Sequence, residues 1–319
     1  MNPDFWQNKT VLVTGGAGFI GRNLVALLRQ FNPRALWTPA HGEFDLTQGS
    51  DVQRLFAQHR PDVVFHLAGL VGGILANKQR PAEFYYQNLL MDAQVLHHAA
   101  MSGASRFVAT AAGCGYPADA EMPVKETNLW NGLPQKESAP FSSAKRMLCM
   151  QSAAYYAQYG FPAVVCIVGG IYGPWDNYRL AEAHVVPALV TKFLAAQESG
   201  EPVEVWGTGR STRDFIYATD VARGLLLAAE RYEAAEVVNL SSGVETPIAE
   251  VVRHLQAQIN PMGGVRWLAD KPEGQLRRCL DVTKARTELG FSCEVGIEAG
   301  LTMTVKWYRD NLSNPQIRR

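Results

Sequence analysis

Lys9-Thr10-Val11-Leu12-Val13-Thr14-Gly15-Gly16-Ala17-Gly18-Phe19-Ile20-Gly21 decides how the rest of the chain has to be read. Val11, Leu12 and Val13 form an apolar, β-branched run that predicts a buried strand. Glycines follow at 15, 18 and 21, and Phe19, Ile20, Leu24, Leu27 and Leu28 mark an apolar helical face. Strand, turn and helix therefore succeed one another directly. Gly15 permits the sharp turn, Gly18 lets backbone N–H groups approach a pyrophosphate, and Gly21 lets the helix pack close to the strand, so a dinucleotide is expected on the positive end of that helix. Three glycines alone are a weak sign, and the flanking elements are what give them weight.

Moving outward, Ala35-Leu36-Trp37 predicts a second strand, whose end meets the adenosine ribose in such an arrangement. An Asp or Glu there would mark NAD and an Arg NADP. The chain offers Thr38, Pro39, Ala40 and His41, so the choice stays open, with Arg34 and His41 either facing a 2′-phosphate or merely solvated. Asp45-Leu46 leads into a helix about Val52 to Gln58, and Asp62 to Gly69 reads as a strand ending in small residues over which a nucleotide can lie. Helical spacing over Glu83–Ala100, a strand at Arg106–Thr110, a second long helix over Lys145–Tyr159 and a strand at Ala163–Val168 complete the pattern. This alternation predicts an α/β protein, a Rossmann-type doubly wound parallel sheet with right-handed crossovers. Gly15, Gly18, Phe19, Ile20, Gly21, Asp45, Leu46, Leu67, Ala68 and Lys145 are the candidate cofactor contacts.

Beyond Gly169 the elements become shorter and mixed: Gly170-Ile171-Tyr172-Gly173-Pro174, a helix from His184 to Ala196, the run Val203-Glu204-Val205-Trp206-Gly207-Thr208-Gly209, and helices near Ile248–Gln258 and Ile297–Arg309. Val237–Leu240 reads as a strand returning to the first sheet. The expected division is a dinucleotide-binding domain of residues 1–168 plus about 214–245, and a smaller C-terminal α/β substrate domain of 169–213 and 246–319.

A chain of 319 residues can bury a large core, and Lys+Arg and Asp+Glu each count 30, which argues against an electrostatic hold on nucleic acid or an anionic membrane. The five cysteines, Cys114, Cys149, Cys166, Cys279 and Cys293, are widely spaced without a CxxC pair, so no disulfide framework or zinc knuckle is indicated. His97 and His98 are adjacent on one predicted helix, cannot share a face, and suggest no metal site. Met1 to Trp6 lacks a basic segment followed by an apolar one, and no apolar run reaches the roughly 18 residues of a membrane helix. A cytoplasmic enzyme is expected.

Further strings sharpen this: Leu70-Val71-Gly72-Gly73-Ile74-Leu75-Ala76-Asn77, Pro81-Ala82-Glu83-Phe84, Cys114-Gly115-Tyr116-Pro117, Ile171-Tyr172-Gly173-Pro174, His184-Val185-Val186-Pro187-Ala188-Leu189, Trp206-Gly207-Thr208-Gly209 with Arg213, and Leu280-Asp281-Val282-Thr283. Through them the chain resembles, nearly end to end, the extended short-chain dehydrogenase/reductase (NAD-dependent epimerase/dehydratase) family. Within it the resemblance is to the branch that epimerises and reduces GDP-4-keto-6-deoxy sugars. That resemblance implies an NADP or NAD cofactor, a nucleotide-diphosphate-sugar substrate and a homodimer paired through the two long helices. It also implies substrate contacts at Val71, Gly72, Gly73, Asn177, His184, Lys192, Trp206, Arg213 and Lys271, with Arg213 and Lys192 suited to a diphosphate. Three departures stand out. The family's proton-donating Tyr falls at Phe141 and its Ser at Ala112, while Gly170 replaces an Asn. Lys145, four residues after Phe141, remains, as do Cys114 and His184, which correspond to the family's base and acid for epimerisation. Each has a plainer reading: Cys114 as a small buried hydrophobe, His184 as a helix-start residue, Lys145 as a solvated lysine. Together they lead to the expectation of a nucleotide-sugar epimerase acting beside a keto group, its reductase step lost or weakened. The alternatives are a full epimerase/reductase in which Ser143 or water relays the proton, and a silent nucleotide-sugar-binding homologue. Ser142 and Ser143 otherwise read as helix N-caps.

Overall fold

The computed structural model describes residues 1–271 and 274–318, with residues 74 and 75 described through their backbone. Six strands form one parallel sheet: β1 (Thr10–Thr14), β2 (Ala35–Trp37), β3 (Val63–His66), β4 (Arg106–Ala112), β5 (Ala163–Val168) and β6 (Val238–Leu240). Their spatial order is β2-β1-β3-β4-β5-β6, every neighbouring pair parallel. Helices cover both faces, which is why every residue of β1, β3 and β5 is buried and why these strands read as continuous apolar runs. One apolar cluster packs Trp6 and the helices Phe19–Leu28 and Ala218–Arg231 on one face; the other packs Val52, Leu55, Leu96 and Leu148 on the opposite face.

The strand order reverses between β1 and β3, and the register pairs Thr14 with His66 at their C-terminal ends. In an open α/β sheet a ligand crevice opens at such a switch point. The glycine turn sits there. Gly15 adopts φ +69°, and a Cβ on it would lie 2.6 Å from the Ala68 nitrogen; a Cβ on Gly21 would lie 2.2 Å from the Gly15 oxygen. Only glycine lets β1, the turn and the helix approach this closely.

The two long helices, Pro81–Met101 and Ala139–Tyr159, lie side by side. The second begins six residues before the apolar spacing predicts, with Pro140 in its first turn, because Ala139–Lys145 has Phe141 as its one large apolar residue and so shows no helical periodicity. Ser142 and Ser143 are therefore inside the helix and do not cap it. Helix Ala218–Arg231, rich in buried alanine and leucine, escaped the periodicity reading altogether.

The rest grows out of the C-terminal ends of the sheet. Strand Gly170–Tyr172 follows β5 after Gly169 alone and pairs in parallel with Phe215–Tyr217. Val203–Trp206 pairs with Val265–Leu268, and Thr212–Arg213 with Thr246–Pro247. Helices Val185–Ser199, Ile248–Ile259 and Ile297–Asp310 enclose a third apolar cluster with Tyr172, Tyr178, Phe193 and Leu301 at its centre. Among the described residues no helix is long and apolar enough to cross a membrane.

Candidate active site

Helix Phe19–Leu28 starts at Gly18, which caps it without a side chain, so the first-turn N–H groups face outward unclaimed by any capping oxygen. Gly15, Gly18, Phe19 and Ile20 are half-buried at this edge and Gly21 is buried. Such a cradle fits a pyrophosphate. Leu67 and Ala68 follow β3 on the same side. Asp45 accepts from the Thr47 N–H and hydroxyl at 2.9 and 2.8 Å, contacts that hold its carboxyl below the usual range, whereas the Leu46 side chain points into the core. Arg34 donates to Thr10 Oγ1 at 2.8 Å and to Asp62 Oδ2 at 3.0 Å. It precedes β2 and pairs with the first residue of β1, so it lies at the wrong end of the sheet for a 2′-phosphate. His41 is exposed, close enough to Asp45 to act on its charge.

Lys145 is buried rather than solvated. Its Nζ donates to Asp92 Oδ1 at 2.8 Å, and a methyl group on Gly69 would come 3.7 Å from it. Phe141, 7% exposed, packs edge-on to Phe84 with ring centroids 6.4 Å apart. Ala112 ends β4, half-buried, opposite Val168. Neither position offers a hydroxyl to a ligand.

Cys114 sits half-buried in the turn Gly113–Gly115 that follows β4. The Ser142 hydroxyl lies 3.1 Å from its carbonyl oxygen and 3.3 Å from its Sγ, which links this turn to the start of the Lys145 helix. The Arg278 guanidinium flanks the turn, 3.5 Å from where a methyl on Gly113 would be. His184 caps helix Val185–Ser199 with its ring exposed, Nδ1 lying 3.8 Å from Oδ1 of the buried Asp176. That carboxylate raises the imidazole pKa, against partial desolvation by its neighbours and the opposing field of Arg278. Since Arg278 flanks Gly113 and acts electrostatically on His184, the Cys114 turn and the His184 cap share one neighbourhood. A methyl on Gly73 would come 3.5 Å from the Glu182 oxygen, which brings the Val71–Gly73 loop to the same segment.

The remaining predicted contacts are spread more widely. Lys192 donates to the Glu204 carbonyl at 2.8 Å and burial pushes its pKa down, while Trp206, two residues on, is 57% exposed. Arg213 is held by the carbonyls of Thr212 and Gln275 at 2.6 and 2.8 Å. Lys271 is exposed beside Asp270, and Asn177 donates to Glu182 at 3.0 Å. Arg278 was missed as a site residue, and Ser142 was read only as a helix N-cap or a substitute for the lost phenol. The only signal for Arg278 was its place in the basic pair just before Leu280-Asp281-Val282-Thr283. Arg278 has no hydrogen-bond partner among the described residues, and beside it Asp214 is buried with Oδ1 unpaired.

A parallel sheet with a glycine turn at its switch point, and polar side chains gathered beyond the strand ends, defines a nucleotide-binding α/β protein of Rossmann type. Residues 11–241 match the NAD dependent epimerase/dehydratase family, and the chain belongs to that family. It is 33% identical over 309 residues to GDP-L-fucose synthase 1 of Arabidopsis thaliana, covering 97% of this chain and 95% of the relative. Against GDP-L-fucose synthase of Escherichia coli (strain K12) the identity is 31% over 317 residues, covering 96% and 98%. Among solved structures, a GDP-L-fucose synthetase from Naegleria fowleri bound to NADP superposes with a TM-score of 0.88 at 25% identity, over 98% of this chain and 97% of that one.

Proposed function

We propose that this protein acts on a GDP-4-keto-6-deoxyhexose or a closely related GDP-sugar as an epimerase beside the keto group, with carbonyl reduction weak or lost. The observation that carries the reading is the contrast between two positions: the buried, phenol-less Phe141 against Phe84, and the pairing of Cys114 and His184 near one guanidinium. The relatives' names supply the substrate class. A carbon acid beside a ketone gives up its proton because the electron pair delocalises onto the carbonyl oxygen. Cys114, as thiolate, takes that proton; His184, as imidazolium, returns one to the opposite face, and both groups then re-equilibrate with water. Asp176 keeps His184 charged for that role, and Arg278 balances the anion that forms. The glycine turn, Leu67, Ala68 and Lys145 would hold a nicotinamide dinucleotide, NADP before NAD, which supplies hydride chemistry when bound. Residues 169–213 and 246–319 would hold the sugar nucleotide, with Arg213 and Lys192 at the diphosphate. We extend the reading to a cytoplasmic homodimer joined through the long helices, whose outer faces expose Tyr86, Met150 and Tyr159.

A second reading, a complete epimerase/reductase, draws support from the names of the relatives at 33% and 31% identity. It requires Ser143 or water to protonate the alkoxide. One experiment separates them: incubation with GDP-4-keto-6-deoxymannose in deuterated water, with and without NADPH, following label by mass spectrometry and NADPH by absorbance. Deuterium entering the sugar with little NADPH consumed supports the epimerase. Brisk NADPH oxidation by the unaltered chain refutes it.

A further inference from the structure

Behind the cofactor edge, four polar side chains from four elements form one buried hydrogen-bonded chain. Thr14 ends β1, His66 ends β3, Asp92 lies within helix Pro81–Met101 and Lys145 within helix Ala139–Tyr159; their exposures are 0%, 0%, 1% and 5%. His66 Nδ1 is 2.7 Å from Thr14 Oγ1, His66 Nε2 is 2.9 Å from Asp92 Oδ1, and the same oxygen accepts from Lys145 Nζ at 2.8 Å. Chemistry places the protons. Burial drives the His66 pKa below its ordinary value despite the pull of Asp92, so the ring is neutral and carries one proton. Burial alone would push the Asp92 carboxyl up, but Lys145 and His66 outweigh it and hold it below the usual range, so it accepts only. The imidazole proton therefore sits on Nε2, and Nδ1 accepts from the Thr14 hydroxyl.

This arrangement does more than fill space. A buried ion pair kept only for stability is expected to satisfy both carboxylate oxygens, yet Asp92 Oδ2 has no partner. Both donors converge on Oδ1. Lys145 is thus fixed relative to β1 and β3, the two strands that flank the switch point, and two of its N–H donors remain for the space beneath Gly69. No oxygen at position 141 can share the ammonium, because Phe141 stands there. The titratable groups facing the pair are His66 on β3 and Cys149 on the lysine's own helix, whose thiol burial pushes up to about 12.

We infer that Asp92, backed by His66 and Thr14, is a positioning residue that pairs with Lys145 and holds it aimed at the bound dinucleotide. This rests on the reading of Lys145 as a cofactor contact. The test measures NADPH affinity of the full chain by titration calorimetry for Asp92→Asn, Asp92→Glu, Lys145→Met and the Asp92→Asn, Lys145→Met double variant. Lys145→Met weakens NADPH binding, Asp92→Asn weakens it roughly tenfold, and the double variant is no weaker than Lys145→Met alone. Asp92→Glu, which keeps a carboxylate for the ammonium, binds NADPH better than Asp92→Asn. If Lys145→Met binds NADPH as well as the unaltered chain, the cofactor reading of Lys145 fails. If Lys145→Met weakens binding while Asp92→Asn does not, or the two losses multiply, the positioning inference alone fails. Should Asp92→Asn not fold, the double variant, lacking both charges, restores a cooperative thermal transition; an unfolded double variant overturns the inference.

Discussion

The Lys145 side and the His184 side each keep one buried carboxylate oxygen without a partner, Asp92 Oδ2 and Asp176 Oδ2, but they differ in how far their charged groups are enclosed and paired. Around Lys145 the donors and acceptors meet inside the protein: lysine with aspartate, aspartate with histidine, histidine with threonine, and Asn88 with both backbone groups of Leu70. Around His184 the capacity is left unfilled. The His184 ring is exposed, Arg278 has no hydrogen-bond partner among the described residues, and Oδ2 of the buried Asp176 has none either. Groups satisfied within the chain fix geometry. Groups with spare capacity are where a ligand's own charges and hydroxyls change the energy.

The largest test asks whether the Lys145 side lacks only its hydroxyls. Phe141→Tyr combined with Ala112→Ser returns a phenol beside Lys145, and general-acid help of this kind is worth about 10²–10⁴ in rate. NADPH oxidation with GDP-4-keto-6-deoxymannose is expected to rise by at least the lower figure. No rise would mean that the lysine side is not poised for reduction and that the two sides differ in more than Phe141. Next, Cys114→Ala and His184→Gln each remove one proton-transfer partner, and solvent deuterium incorporation is expected to drop by about 10²–10³ with the thermal midpoint unchanged. Retained exchange in either variant would erase the distinction between the sides.

Much of the scaffold was readable from the sequence, because apolar strands, glycines needed for close approach and helical spacing are local signals. The polar chain behind the cofactor edge was not. His66 looks like the last residue of an apolar strand, and its partner Asp92 is 26 positions away, with Lys145 a further 53. Arg34 could have been placed better: it precedes β2, whereas folds of this type meet a dinucleotide's ribose after that strand. Phe141 and Ala112 mean something only beside a family in which those positions carry hydroxyls. Arg278 lies far along the chain from both Gly113 and His184, and only folding brings them together.

Asp176→Asn probes the His184 side more gently. Asp176 raises the His184 pKa, so the imidazolium survives to higher pH than an isolated histidine, and a step using it as acid holds its rate until pH climbs through that raised value. Without the carboxylate, the alkaline limb of the deuterium-exchange profile moves toward lower pH. The same sign governs stability: the ion pair contributes below the unfolded histidine's pKa and its contribution is lost as pH rises through the folded value. An unmoved limb in Asp176→Asn would show that another group is the acid.

The smallest effect is expected at Arg34, and it tests which end of the sheet carries the cofactor. Its guanidinium is 60% exposed and bridges Thr10 and Asp62 at the N-terminal ends of β1 and β3. An exposed pair of this kind contributes about 0–1 kcal/mol, so Arg34→Ala lowers the thermal midpoint slightly or not at all. More tellingly, the ratio of NADPH to NADH affinity stays as it is, because the glycine turn and the end of β2 lie a strand's length away. A selective loss of NADPH binding in Arg34→Ala, with NADH binding retained, would require the 2′-phosphate to reach the wrong edge of the sheet, and the placement of the cofactor at the switch point would fall with it.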